Sequence, residues 1–102
     1  MHPIIEERLP ELQALCRRFH VAVLSLFGSA AGEGFDPSRS DLAFLVEYLP
    51  EAKEGYPDVY FELKAGLEAL FGRQADLVMT RAIRNFYFRE KVEETKVSLY
   101  AA

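Results

Sequence analysis

A chain of 102 residues, half of them apolar, is long enough to build one domain that hides roughly two thirds of its unfolded surface without disulfides or structural metal. Its net charge of −4 gives no global positive field to grip a phosphate backbone, so long DNA or RNA is not an expected partner. The single cysteine, Cys16, has no partner within the chain, and no stretch reads as a cleaved leader or approaches the roughly 20 apolar residues of a membrane helix. The expectation is a cytoplasmic protein of one domain, residues 1–102, without membrane attachment.

Leu9, Leu12, Cys16 and Phe19 recur at helical spacing with charges between them, which predicts an amphipathic first helix. Pro10 either sits in its first turn, where a missing N–H matters little, or kinks a helix begun near Ile4. Cys16, on the apolar stripe, reads as a small core hydrophobe, and His20 as a boundary residue. The apolar run from Val21 to Phe27 has strand length and ends at Gly28, so it reads as a buried strand. Ser29 is placed to cap a short helix over Ala30 and Ala31, and residues 32–40 are dense in turn formers and read as a loop. Leu42, Phe44 and Val46 then alternate with Asp41, Ala43 and Leu45, a second strand whose two sets face opposite sides.

Residues 51–57 read as a loop. Asp58 is a plausible N-cap for a helix carrying Tyr60, Leu63, Leu67, Leu70 and Phe71, and Gly72 is placed to end it. Ala75 to Met79 makes a third short strand with Asp76 and Val78 on one face. After a turn over residues 80–84, Asn85 can cap a last helix whose stripe is Phe88, Val92, Thr95 and Leu99. The aromatic run Phe86, Tyr87 and Phe88 at its start reads as core and interface packing, and Glu90, Glu93 and Glu94 as a solvated helix face. The element order predicts an α/β (α+β) architecture, a small mixed three-stranded sheet packed with helices. The sheet should be mixed because only about a dozen residues join the first two strands, which allows the chain to reverse.

Gly28 permits a close backbone approach, and Ser29 stands where a helix N-terminus would point unpaired N–H groups outward, an arrangement that suits phosphate. The same pair also describes an ordinary strand-to-helix turn with a capping serine. Residues further along the chain give it weight. Leu26-Phe27-Gly28-Ser29, then Ser40-Asp41-Leu42-Ala43-Phe44-Leu45-Val46, then Gly72-Arg73-Gln74-Ala75-Asp76-Leu77-Val78 and Ala82-Ile83-Arg84-Asn85-Phe86-Tyr87-Phe88-Arg89-Glu90, resembles the minimal nucleotidyltransferases of the DNA polymerase beta superfamily over most of the chain. The resemblance implies the nucleotidyltransferase fold, with Gly28, Ser29 and Ser40 toward the nucleotide and Asp41 and Asp76 as catalytic ligands of Mg²⁺, with ATP as the nucleotide.

Two departures stand out. The family pattern is Ser-Asp-x-Asp, and its second acidic position is Ala43 here. Carboxylates at alternate strand positions project from one face about 7 Å apart, and with a third from a neighbouring strand they can hold two metal ions roughly 3.5–4 Å apart. A methyl group supplies no ligand to such a cage. Upstream, relatives usually read Gly-Ser-x-Ala-Arg-Gly, whereas this chain reads Gly28-Ser29-Ala30-Ala31-Gly32-Glu33, with no arginine at position 32 and an acid beside it that would repel a triphosphate unless it turned to solvent.

Two functions compete. One is a nucleotidyltransferase-domain protein with a degraded metal site, acting as the antitoxin-like partner of a HEPN-type protein, a small helical RNase class. The alternative is an active Mg²⁺-dependent enzyme that transfers AMP from ATP to a hydroxyl on a protein or small molecule. Ala43 and the missing arginine favour the first and weaken both implied cofactors, Mg²⁺ and ATP. The implied partners are a HEPN-type helical protein and nucleotide, and self-association stays open.

Overall fold

In the computed structural model of the chain, which describes residues 3–27, 42–50, 52, 58–80 and 83–102, the N-terminal segment forms two helices, α1 (Pro3–Glu6) and α2 (Leu9–Arg18). Pro10 lies in the first turn of α2, where no intrahelical partner is lost. Leu12 and Cys16 are fully buried. His20, with a positive φ of 60°, turns the chain from α2 into β1 (Val21–Phe27).

The remaining described elements are β2 (Leu42–Tyr48), α3 (Val59–Phe71), β3 (Ala75–Met79), α4 (Phe86–Thr95) and β4 (Val97–Ala101). They form one sheet in the order β3-β2-β1-β4. β1 pairs antiparallel with both β2 and β4, while β2 and β3 run parallel, with α3 as the crossover between them. The mixed sheet flanked by helices is the architecture read from the sequence, with four strands where three were expected. The fourth strand corrects the assignment of Leu99 to a helix stripe. Lys96 leaves helical geometry at φ −64° and ψ 148°, and the β-branched and aromatic residues after it complete the free edge of β1.

Helix ends follow local chemistry in two cases out of three. Gly72 closes α3 in the left-handed region at φ 65°, its N–H bonded to the Glu68 carbonyl at 2.8 Å. The Asn85 side chain caps α4 by accepting from the Phe88 N–H at 3.1 Å. Asp58 stands at the N-cap of α3, but its backbone is already helical and its side chain makes no cap bond; only its carbonyl serves, accepting from the Glu62 N–H at 3.0 Å.

One face of the sheet carries Leu24, Leu26, Leu42, Phe44, Val46, Leu77 and Leu99, packed against Ile5, Leu12, Cys16, Leu63, Leu67 and Phe71 from the helices. The opposite face holds a smaller cluster of Phe27, Leu45, Ile83 and Val92, with Ala43 and Val78 against it. α4 covers that face through a single buried residue, Val92. Among the described residues no helix is long and apolar enough to cross a membrane. The expected short helix over Ala30 and Ala31 and the loop over residues 32–40 lie outside the described residues, as does most of the 51–57 loop.

Candidate functional site

β2 lies between β1 and β3, so its residues have a neighbour on each side. Ala43 pairs with Phe27 of β1 and with Asp76 of β3, and directly paired residues project to the same side of a sheet. Phe27, Ala43 and Asp76 therefore form a row across three strands on the face opposite the main core. The next row on that face is Ser25, Leu45 and Val78. Given the strand directions, the first row sits where β1 ends and where β2 and β3 begin.

Of the site residues expected from the sequence, Asp76 is described, and it lies at this end of the sheet on the face shared with Val78, as the period of two predicted. Its side chain is exposed. Gly28, Ser29, Ser40 and Asp41 lie outside the described residues. Ala43 is half-buried, its methyl against the apolar cluster of Phe27 and Leu45, and it is the immediate cross-strand neighbour of Asp76.

The backbone on either side of Asp76 is tied to α3. The Ala75 N–H donates to the Glu68 carboxylate at 3.0 Å, and the Tyr60 hydroxyl donates to the Leu77 carbonyl at 2.6 Å. The Leu42 N–H, at the start of β2, reaches the Gln74 carbonyl at 3.4 Å. These bonds hold the carboxylate's strand position from behind while leaving its oxygens open. Helical periodicity accounts for Tyr60 only as part of an apolar stripe, and no local pattern marks Glu68. Glu68 lies one turn before the glycine that ends α3, which lets it reach the first residue of β3, but its partner becomes visible only once helix and strand are placed together.

Among the described residues, the acidic groups at this end of the sheet do not make up a two-ion centre. Asp76 offers one carboxylate and faces a methyl group, and among the described residues no cluster of three or more His, Cys, Asp or Glu could hold a metal ion. Cys16 is fully buried, and desolvation pushes its thiol up to about 12 against a smaller opposing pull from Arg17, so it stays protonated and inert at neutral pH. Tyr48 is likewise pushed up to about 12 by burial first, then by Tyr60 and Cys16.

The aromatic run at the start of α4 divides. The cap at Asn85 sets the phase of the helix so that Phe88 and Val92, four residues apart, turn toward the sheet. The Phe88 ring meets Phe27 edge to face, with centroids 6.1 Å apart. Phe86 and Tyr87 point outward and are 71% and 78% exposed, so of the expected core and interface packing the core part falls to Phe88 alone.

No protein-family model matches the chain. Over 79 residues it is 33% identical to a Methanocaldococcus jannaschii protein named "Putative protein adenylyltransferase MJ1379", a match covering 76% of this chain and 75% of that relative. It superposes on a solved structure described as "putative minimal nucleotidyltransferase" with a TM-score of 0.75 and 28% identity, covering 91% of this chain and 90% of the other. A chain from the complex of tri-AMPylated Shewanella oneidensis HEPN toxin with MNT antitoxin shares the fold, with a TM-score of 0.65, 18% identity, and coverage of 95% of this chain and 72% of that one. With Asp76 and position 43 side by side in a nucleotidyltransferase fold, and a relative one third identical across three quarters of its length, the chain belongs to the minimal nucleotidyltransferase family.

Proposed function

We propose that this chain is a minimal nucleotidyltransferase with a degraded metal site, working in the cytoplasm by contact as the antitoxin-like partner of a HEPN-type helical protein. The observation that carries this reading is the methyl group of Ala43 beside Asp76. Metal-assisted nucleotidyl transfer relies on carboxylates shared between two cations, which neutralise the triphosphate and the attacking oxygen. A site missing one of them loses both a negative charge and an anchor. In this reading Asp41 and Asp76 are the remaining acidic groups, and Gly28, Ser29 and Ser40 face any nucleotide that binds weakly. The partner class is supported by the Shewanella oneidensis complex, in which an MNT antitoxin is bound to a HEPN toxin.

A second reading has its own support. The Methanocaldococcus jannaschii relative bears the name of a protein adenylyltransferase, which favours transfer of AMP from ATP to a hydroxyl of a protein partner. One experiment separates the two. The chain is co-expressed with whatever small helical protein is encoded beside its gene, purified, and incubated with ATP and Mg²⁺, and intact masses are recorded. A stable complex with no added AMP supports the contact role; AMP on the partner establishes the enzymatic one. Recovery of the chain as an inert monomer would end the antitoxin-like reading.

A further inference from the structure

The outward face of α4 joins two exposed aromatic rings to a row of carboxylates. Phe86 shares that face with Glu90, Glu93 and Glu94, at the i+4, i+7 and i+8 positions, and Tyr87 stands beside Glu90 and Glu94 at i+3 and i+7. Phe86, Arg89 and the three glutamates line a surface hollow of about 320 Å³. Lys96 neutralises Glu93 at 3.0 Å, and among the described residues no salt bridge reaches Glu90 or Glu94. Two large exposed rings therefore sit at one end of the helix, and the carboxylates of Glu90 and Glu94 come after them.

We propose that this face docks a helix of a partner protein, one with an apolar stripe flanked by lysine or arginine. The rings are of the residue type that anchors interfaces, and the carboxylates select the partner's sign. The same carboxylates disfavour nucleotide phosphate and anionic lipid, and two copies of the face would set acid against acid. Phe88 meets Phe27 on the opposite side of α4, so a helix seated on the outward face is separated from the row of Phe27, Ala43 and Asp76 by α4 itself. The inference rests on the contact role above for the partner's helical nature, and on α4 alone for its location and charge.

The test titrates the isotope-labelled chain with a short amphipathic helical peptide of leucine and lysine, and with a twin carrying glutamate for every lysine, following backbone amides by NMR. Shifts confined to α4 with the basic peptide, and none with the acidic twin, are expected. Phe86→Ala with Tyr87→Ala should weaken binding at least tenfold, and Glu90→Lys with Glu94→Lys should abolish it, while Phe61→Ala, at another exposed ring on α3, should leave it unchanged. These positions are exposed, so the variants retain their fold, checked by circular dichroism. Equal binding of both peptides, shifts mapping to the groove between Leu15 and Leu70, or a concentration-dependent doubling of mass would overturn the proposal. The same variants separate it from the functional reading. A helical partner that still binds the Phe86/Tyr87/Glu90/Glu94 variant with full affinity removes this surface and leaves the antitoxin-like role standing. Basic-peptide binding on α4 without any HEPN-type partner does the reverse.

Discussion

The two faces of the sheet are packed by different rules. On one, Leu24, Leu26, Leu42 and Phe44 are fully buried beneath α2 and α3 along with Leu12, Leu63 and Leu67. On the other, α4 rests on the sheet through Val92 and half of Phe88, and leaves Asp76 open. The contrast separates labour. The first face supplies the apolar burial that holds the fold, and the second, freed from that task, keeps a carboxylate and two aromatic rings in contact with solvent.

The sharpest way to break this contrast is to cut into each face in turn. Leu67→Ala, at a fully buried position, should lower unfolding free energy by about 2–5 kcal/mol in urea titration. Val92→Ala should cost about 1–2 kcal/mol and act locally, speeding amide exchange in α4 while the protection of β1 and β2 holds. Equal losses from the two changes would mean that the faces share one cooperative core. Asn85→Ala removes the cap bond to Phe88 and should cost about 1 kcal/mol, again read in α4 first.

Ala43→Asp tests the open face directly. It sets a carboxylate opposite Asp76 and should destabilise the metal-free protein by about 0.2–1 kcal/mol. Added Mg²⁺ should then raise the melting temperature of the variant more than that of the parent, and an identical response in both would mean that position 43 does not face a cation site. The smallest effect concerns the closed face. Cys16 ionises near 9.0 ordinarily and at about 12 when folded, so the unfolded chain gives up its thiol proton first. That contribution to stability is intact below pH 9 and is lost as pH climbs toward 12. Cys16→Ala should flatten the alkaline decline seen in denaturant midpoints against pH.

The closed face was largely legible in the sequence because its signals are local. The stripe of Leu12 and Cys16, the run from Val21 to Phe27 and the αL glycine at 72 each report on a few neighbouring residues. β4 was not legible, since Leu99 fits a helical period and its strand character comes from pairing with β1 far back in the chain. The open face was half legible. Periodicity put Asp76 and Val78 on one side, but the neighbour of Asp76 depends on the parallel register set by the α3 crossover, which no local pattern encodes. The same holds for Phe86 and Tyr87, which the sequence leaves open between core and interface packing and which helical phase, set by Asn85, turns outward.

The register that pairs Ala43 with Asp76 carries a consequence for how such a protein can change over generations. β2 is locked between two partners, and irregularities between Val21 and Val23 and between Leu24 and Ser25 interrupt the pairing of β1 on each side, so a shift of the ladder would disturb every row at once. Chemistry at position 43 is thereby uncoupled from architecture. Every alanine codon is one base from a codon for aspartate or glutamate, and a lineage holding this scaffold stands a single nucleotide from carrying a carboxylate at that position or lacking it, with no strand needing to move.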